Sequence, residues 1–118
     1  MSLIQKKNFS LLTFLLLFSF NLYGNYILIP MDENNQKNHL KAYGIAYWIL
    51  QNDLEVDWLL NYRGGSFLIK ELEQISLECT YRGVNFEIIS NTEVNEIYNT
   101  ISSPSNNTDI IKLEKAPK

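Results

Sequence analysis

Short apolar runs alternate along most of this chain with longer segments whose apolar residues recur at helical spacing. Strands are predicted for residues 26–30, 55–62, 84–90 and 110–115, and helices for residues 36–53, 67–83 and 91–101. This alternation favours a parallel sheet with helices on its faces and right-handed crossovers. We therefore predict an α/β fold, a three-layer and mostly parallel sheet.

The first 24 residues have the layout of a secretory signal peptide. A short basic head, Lys6 and Lys7, precedes an uncharged and largely apolar stretch that ends at the small residue Gly24. The apolar core is shorter than the roughly 20 residues that span a bilayer, although a retained anchor is the alternative. We predict cleavage after Gly24, a protein exported to the periplasm or the extracellular space without a stable membrane anchor, and one domain at 25–118.

Charge and cysteine content exclude several classes of function. Residues 25–118 keep eight of the ten Lys and Arg and all thirteen Asp and Glu, a net charge of −5. Nucleic-acid binding needs a concentrated basic surface, so we expect no nucleic-acid partner. The lone cysteine, Cys79, forms no internal disulfide, and the spacing does not bring it to the single histidine, His39. We predict no metal, no cofactor and no catalytic residue within this chain.

Ligand-binding candidates follow the first two predicted strands. Asp32 comes after the first strand, and Arg63, Gly64, Gly65 and Ser66 come after the second. In open α/β sheets, ligands bind beyond the carboxyl ends of the strands, and a third loop, residues 90–93, would join the other two there. The glycines, the predicted helix start and the guanidinium favour a small anionic ligand.

Each of these candidates has a structural alternative. The two glycines would then form only a turn, with Ser66 as the cap of the second helix. Asp32 would be a helix-start charge favoured by the helix dipole. Since the fourth predicted strand lies near the last residue, no helix follows to cover the sheet, and parallel sheets are covered on both faces. We therefore expect the sheet to be incomplete, and the partner to be the remainder of a longer polypeptide.

Several phrases resemble the start of a family of exported proteins, chiefly from Bacteroidetes, that is commonly labelled asparagine synthetase B. The resemblance covers nearly all of residues 25–118 and rests on four phrases: ILIPMD, QKNHLKAYGIAYWIL, EVDWLLNYRGGSF and IIKLEKAPK. It implies a longer protein with glutamine-amidotransferase-like amide chemistry, whose nucleophilic cysteine lies past Lys118. The implied fold is flavodoxin-like or class I amidotransferase-like, and no catalytic residue of the family transfers to this chain.

Whether the chain belongs to an enzyme stays open at the level of sequence. Glutamine-dependent asparagine synthetases use an N-terminal cysteine, whereas Ser2 follows Met1 here and Asn25 would come first after cleavage. The first hypothesis is the scaffold fragment of an amide-processing enzyme. The alternative is a non-catalytic extracytoplasmic module that binds a small ligand or interacts with a partner.

Overall fold

The computed structural model describes residues 24–103 and 109–114. In chain order, the elements are β1 (Asn25–Ile29), α1 (His39–Gln51), β2 (Val56–Leu60), β3 (Ser66–Lys70), α2 (Glu73–Arg82), β4 (Glu87–Ser90), α3 (Asn91–Ser102) and β5 (Asp109–Leu113). No helix within these ranges is long and apolar enough to cross a bilayer. Residues 1–23 of the predicted signal peptide lie outside the described residues, and that assignment stays a prediction.

The sheet is antiparallel throughout, so the predicted mostly parallel, flavodoxin-like or amidotransferase-like fold is wrong. Its strand order is β4-β1-β3-β2-β5, and every neighbouring pair runs antiparallel. Strands β1 and β2 run in the same direction, as the helix between them requires, but β3 lies between them. This connectivity is the split βαβ arrangement of ferredoxin-like sheets, extended by α3 and β5.

Strand β3 is the element that sequence patterns misassigned. We predicted one helix over residues 67–83, but residues 66–70 return as a strand against β2 and only Glu73–Arg82 is helical. Four consecutive β3 residues, Ser66 to Ile69, are buried because helices cover parts of both sheet faces. A strand buried on both faces lacks the alternation of apolar and polar residues, so its apolar run resembles a buried helix segment.

Two apolar cores lie on opposite faces of the sheet. The larger core joins α1 and α2 to one face, with Ile27, Ile45 and Ile75 fully buried. The smaller core joins α3 to the other face through Val94, Ile97 and Ile101. Burying one such side chain stabilises the fold by about 1.5–3 kcal/mol, so both helical layers contribute to its stability.

The helix ends confirm one sequence expectation and correct two. Gly83 ends α2 in the left-handed conformation, with φ 72°, as predicted for a glycine at that position. The cap of α3 is Ser90, whose hydroxyl accepts from the Glu93 N–H at 3.2 Å, rather than Asn91 or Thr92. Helix α1 begins after Asn38, later than predicted, and the Asn38 amide donates instead to the Gly83 carbonyl at 2.7 Å.

Candidate functional site

Two of the three predicted ligand loops meet at one end of the sheet. Strands β1 and β2 run in the same direction, so the loop after β1 and the β2–β3 hairpin lie together. The Met31 N–H donates to the Arg63 carbonyl at 3.2 Å and to the Ser66 hydroxyl at 3.3 Å. The third loop, residues 90–93, lies at the opposite end, since β4 runs against β1 and Asn25 pairs with Ser90.

The two glycines reverse the chain between β2 and β3. Gly64 and Gly65 adopt φ values of 79° and 88°, a conformation that glycine reaches at little cost. A side chain at Gly64 would meet the Met31 backbone at 2.7 Å, so the hairpin touches the neighbouring loop directly. The N–H groups of Gly65 and Ser66 both donate to the Tyr62 carbonyl at 3.0 Å. These two amides therefore hold the turn itself.

Ser66 begins β3 and does not cap a helix, which corrects the alternative raised from the sequence. It is fully buried, and its hydroxyl donates to the Arg63 carbonyl at 2.9 Å while accepting the Met31 N–H. The Ser66 side chain therefore fastens the hairpin to the loop after β1.

Arg63 is shared between two carboxylates of the protein. Its two terminal nitrogens donate to the Glu87 carboxylate at 2.7 and 3.2 Å, and its Nε lies 3.4 Å from Asp32 Oδ1. The hydrogen bonds from Glu87 raise the pKa of Arg63, whereas a hydrogen bond from Asn35 and then the charge of Arg63 lower the pKa of Asp32. The guanidinium thus links three segments, and its binding of an external anion remains a prediction.

Glu87 was missed at the sequence level, although it completes this ion-pair network. It is a single acidic residue in the strand-forming run VNFEIIS, and only the register of β4 on β1 brings it to the hairpin end. A charge inside an apolar strand pattern was the available signal. Its partner lies 24 positions away in sequence, so local spacing does not reveal the pair.

The histidine and the cysteine lie in separate environments. His39 Nε2 is 2.9 Å from the Met31 carbonyl, at the start of α1. Cys79 is fully buried in α2, and burial raises the pKa of its thiol to about 11. A nucleophilic thiol needs a lowered pKa and access to substrate, so this environment is that of a structural cysteine.

We expect Cys79 to react slowly with thiol reagents in the folded protein. A rise of the pKa from 9.0 to about 11 lowers the thiolate fraction at pH 8 by about 100-fold, and burial blocks access further. Absorbance with an Ellman-type disulfide reagent, in buffer and in urea, measures the two rates, with Cys79→Ala as the blank. Equal rates in both conditions would contradict a buried, high-pKa thiol.

An open cleft lies on the α3 side of the sheet, where α3 leaves β2, β3 and β5 partly uncovered. We call it the α3-face cleft; its volume is about 330 Å³. Its floor consists of strand side chains and one wall is a tyrosine of α3: Tyr26, Asp57, Leu68, Lys70, Lys112 and Tyr98. Leu54, Glu55 and Leu72 line it as well. None of these residues was a sequence-level candidate, because they belong to five separate segments.

The cleft holds charges of both signs. The Tyr98 hydroxyl donates to Asp57 Oδ2 at 2.6 Å, and burial, followed by this hydrogen bond, raises the pKa of Tyr98. Lys112 lies 3.4 Å from Glu55, an exposed pair of little energetic value. No carboxylate of the described residues lies within ion-pair distance of the Lys70 ammonium. The cleft therefore offers a free cation beside a carboxylate that keeps one oxygen for a ligand.

A second crevice, at the hairpin end of the sheet, is less suited to a ligand. It is larger, about 550 Å³, but its lining includes mainly uncharged polar and loop residues such as Asn35 and Asn85. The Asn85 amide donates to the Asn35 carbonyl at 2.9 Å, and the Asn35 amide donates to Asp32. These side chains hold the two loops together, so the α3-face cleft is the better candidate site.

Metal ligands and known relatives add no further assignment. Across residues 24–103 and 109–114, no group of three or more His, Cys, Asp or Glu side chains is arranged to hold a metal ion. No protein-family model, curated protein or solved structure matches this chain. Arguments about function therefore rest on the geometry of the molecule.

Proposed function

We propose that this protein is a non-catalytic extracytoplasmic module that binds a small polar solute in the α3-face cleft. The observation that carries the proposal is the unpaired Lys70 ammonium next to Asp57, which keeps one carboxylate oxygen open, in a concave site with one aromatic wall. Convergent polar groups in a partly apolar cleft are the usual composition of a small-molecule site.

The environments of the two nucleophile or base candidates support binding rather than catalysis. Cys79 is buried in α2 with a raised thiol pKa, and His39 contacts a backbone carbonyl at the start of α1. Acyl chemistry needs a nucleophile and a base within hydrogen-bond reach of each other. The antiparallel sheet has also removed the fold argument for amidotransferase chemistry.

A thermal-shift screen of the full chain tests the proposed function. The probes are sugars, carboxylates, amines and free amino acids, each at 1–10 mM in order of magnitude, a range that raises Tm only if the solute binds the folded state. We expect at least one solute to raise Tm, and mass spectrometry to recover it unchanged. The Lys70→Met variant should lose the shift, whereas Lys41→Met, an exposed lysine on α1, should keep it.

Two results would contradict the proposal. One is a screen in which no solute raises Tm. The other is a stabilising solute that is chemically converted, which would favour an enzyme. A shift that survives in Lys70→Met would place the ligand outside the α3-face cleft.

A second candidate function is interaction with the remainder of a longer polypeptide. The outer surface of α1 and α2 carries Leu40, Leu77 and Tyr81 with 86%, 61% and 89% of each residue exposed. Exposed apolar residues grouped in this way are typical of protein interaction surfaces. The reading frame past codon 118 is the measurement, followed by purification of any longer product, in which Leu40→Glu should weaken contact with the added segment. A stop codon there would contradict this second function.

A further inference from the structure

The α3-face cleft has a charge arrangement that selects among small solutes. The following inference rests on the proposed function and names the class of its ligand. Strand register decides the arrangement: Leu68 pairs with Asp57, and Asp57 pairs with Lys112, so these three side chains form one row on the cleft floor. Lys70 lies two residues along β3 from Leu68, opposite Tyr26.

The floor therefore alternates positive, negative and positive charges. Lys70 and Asp57 are diagonal neighbours on adjacent strands, with backbones about 7–8 Å apart. Lys112 lies directly opposite Asp57 and forms an ion pair with Glu55. Tyr98 occupies one Asp57 oxygen, which leaves the other oxygen and the Lys70 ammonium for a ligand.

We propose that the ligand is a small zwitterion, a free α-amino acid, whose carboxylate contacts Lys70 and whose ammonium contacts Asp57. A simple anion would gain from Lys70 but would be repelled by Asp57 and Glu55. A simple cation would meet the opposite problem at Lys70. Only a solute with both charges satisfies both groups, and unpaired charges in a partly dehydrated site are costly.

Size and apolar lining agree with this class. A volume of about 330 Å³ is at the lower end of small-molecule sites, which favours a compact solute over a large one. Leu54, Leu68 and Leu72 also line the cleft, and Tyr26 contributes an aromatic face. These residues would contact the side chain of the amino acid, so we expect apolar or aromatic amino acids to bind better than acidic ones.

The test measures binding of the twenty standard amino acids to the full chain by isothermal titration calorimetry. For the tightest binder, two analogues are compared: one lacks the amino group and the other lacks the carboxylate. We expect each analogue to bind at least 10-fold more weakly than the amino acid. Lys70→Met should weaken the amino acid by a similar factor but leave the analogue without a carboxylate nearly unchanged, whereas Lys41→Met should change neither.

The outcomes separate this inference from the proposed function. If the analogue without the amino group binds as well as the amino acid, the ligand is a simple anion and the zwitterion assignment is overturned while the binding function stands. If none of the amino acids binds and another solute does, the assignment also fails alone. If no small solute binds at all, both fail. The analogue comparison uses the unmodified protein, so it is decisive even where a variant folds poorly.

Discussion

Replacing Gly64 with alanine is expected to destabilise the protein by about 3 kcal/mol. The new Cβ would lie 2.7 Å from the Met31 carbonyl carbon and oxygen and 2.8 Å from the Asp32 nitrogen, all backbone atoms that cannot rotate away. Overpacking of this kind costs about 1–3 kcal/mol. The left-handed backbone, with φ 79°, adds about 1–2 kcal/mol for any residue with a side chain. Urea unfolding followed by circular dichroism measures the loss.

Gly24→Ala is the matched control for the Gly64 variant. Gly24 also has a positive φ, 41°, but a Cβ there would meet no atom within 4 Å. We expect it to cost far less than Gly64→Ala, because the steric contribution is missing. Equal losses in the two variants would show that the hairpin moves freely away from the loop after β1, contrary to the close approach at Met31.

Replacing Gln36 with leucine is expected to cost a similar amount, about 3 kcal/mol. Gln36 is 1% exposed, and its amide donates to the Pro30 carbonyl at 3.0 Å and the Asn85 carbonyl at 2.9 Å. Its carbonyl accepts the Asn85 N–H at 3.0 Å. Leucine would leave these backbone groups without their partner, and each buried unsatisfied group costs about 1–3 kcal/mol. The same urea experiment measures the effect.

Two further variants separate the hydrogen bonds from side-chain volume. Gln36→Glu keeps the acceptor for the Asn85 N–H but loses both donated hydrogen bonds, so we expect it to be as harmful as leucine or more so at neutral pH. Gln74→Leu makes the same chemical change at an exposed position of α2, and it should shift stability by less than about 0.5 kcal/mol. A stable Gln36→Leu protein would mean that the loop after β1 does not depend on this clamp.

These two sites hold the loop after β1 in place from opposite sides. Gly64 allows the hairpin to approach Met31, and Gln36 joins the same loop to the segment before β4. The Arg63 ion pairs with Asp32 and Glu87 connect all three segments at this end. At its side-chain exposure of 28%, such a network contributes at most about 1 kcal/mol per pair, so the close packing and the buried amide carry more of the stability.

Local sequence patterns determined most of the elements of this protein. The apolar runs at β1 and β2 and the helical periodicity of α1 and α3 predict those elements at nearly their observed positions, and Gly83 predicts the end of α2. The same patterns placed Asp32 and Arg63 on loops after strands, and the structure brings these two residues together. Local patterns suffice here because the spacing of apolar residues reports which face of one element is buried.

Only the tertiary structure decided the direction of the sheet and the composition of the cleft. Residues 66–70 are buried on both faces, so their apolar run did not distinguish a strand from a helix, and the hairpin that makes the sheet antiparallel was missed. The ion pair of Arg63 with Glu87, and the row of Leu68, Asp57 and Lys112, depend on strand register. Register is set by pairing between distant segments, and a shift of one residue would turn each of these side chains to the opposite face of the sheet.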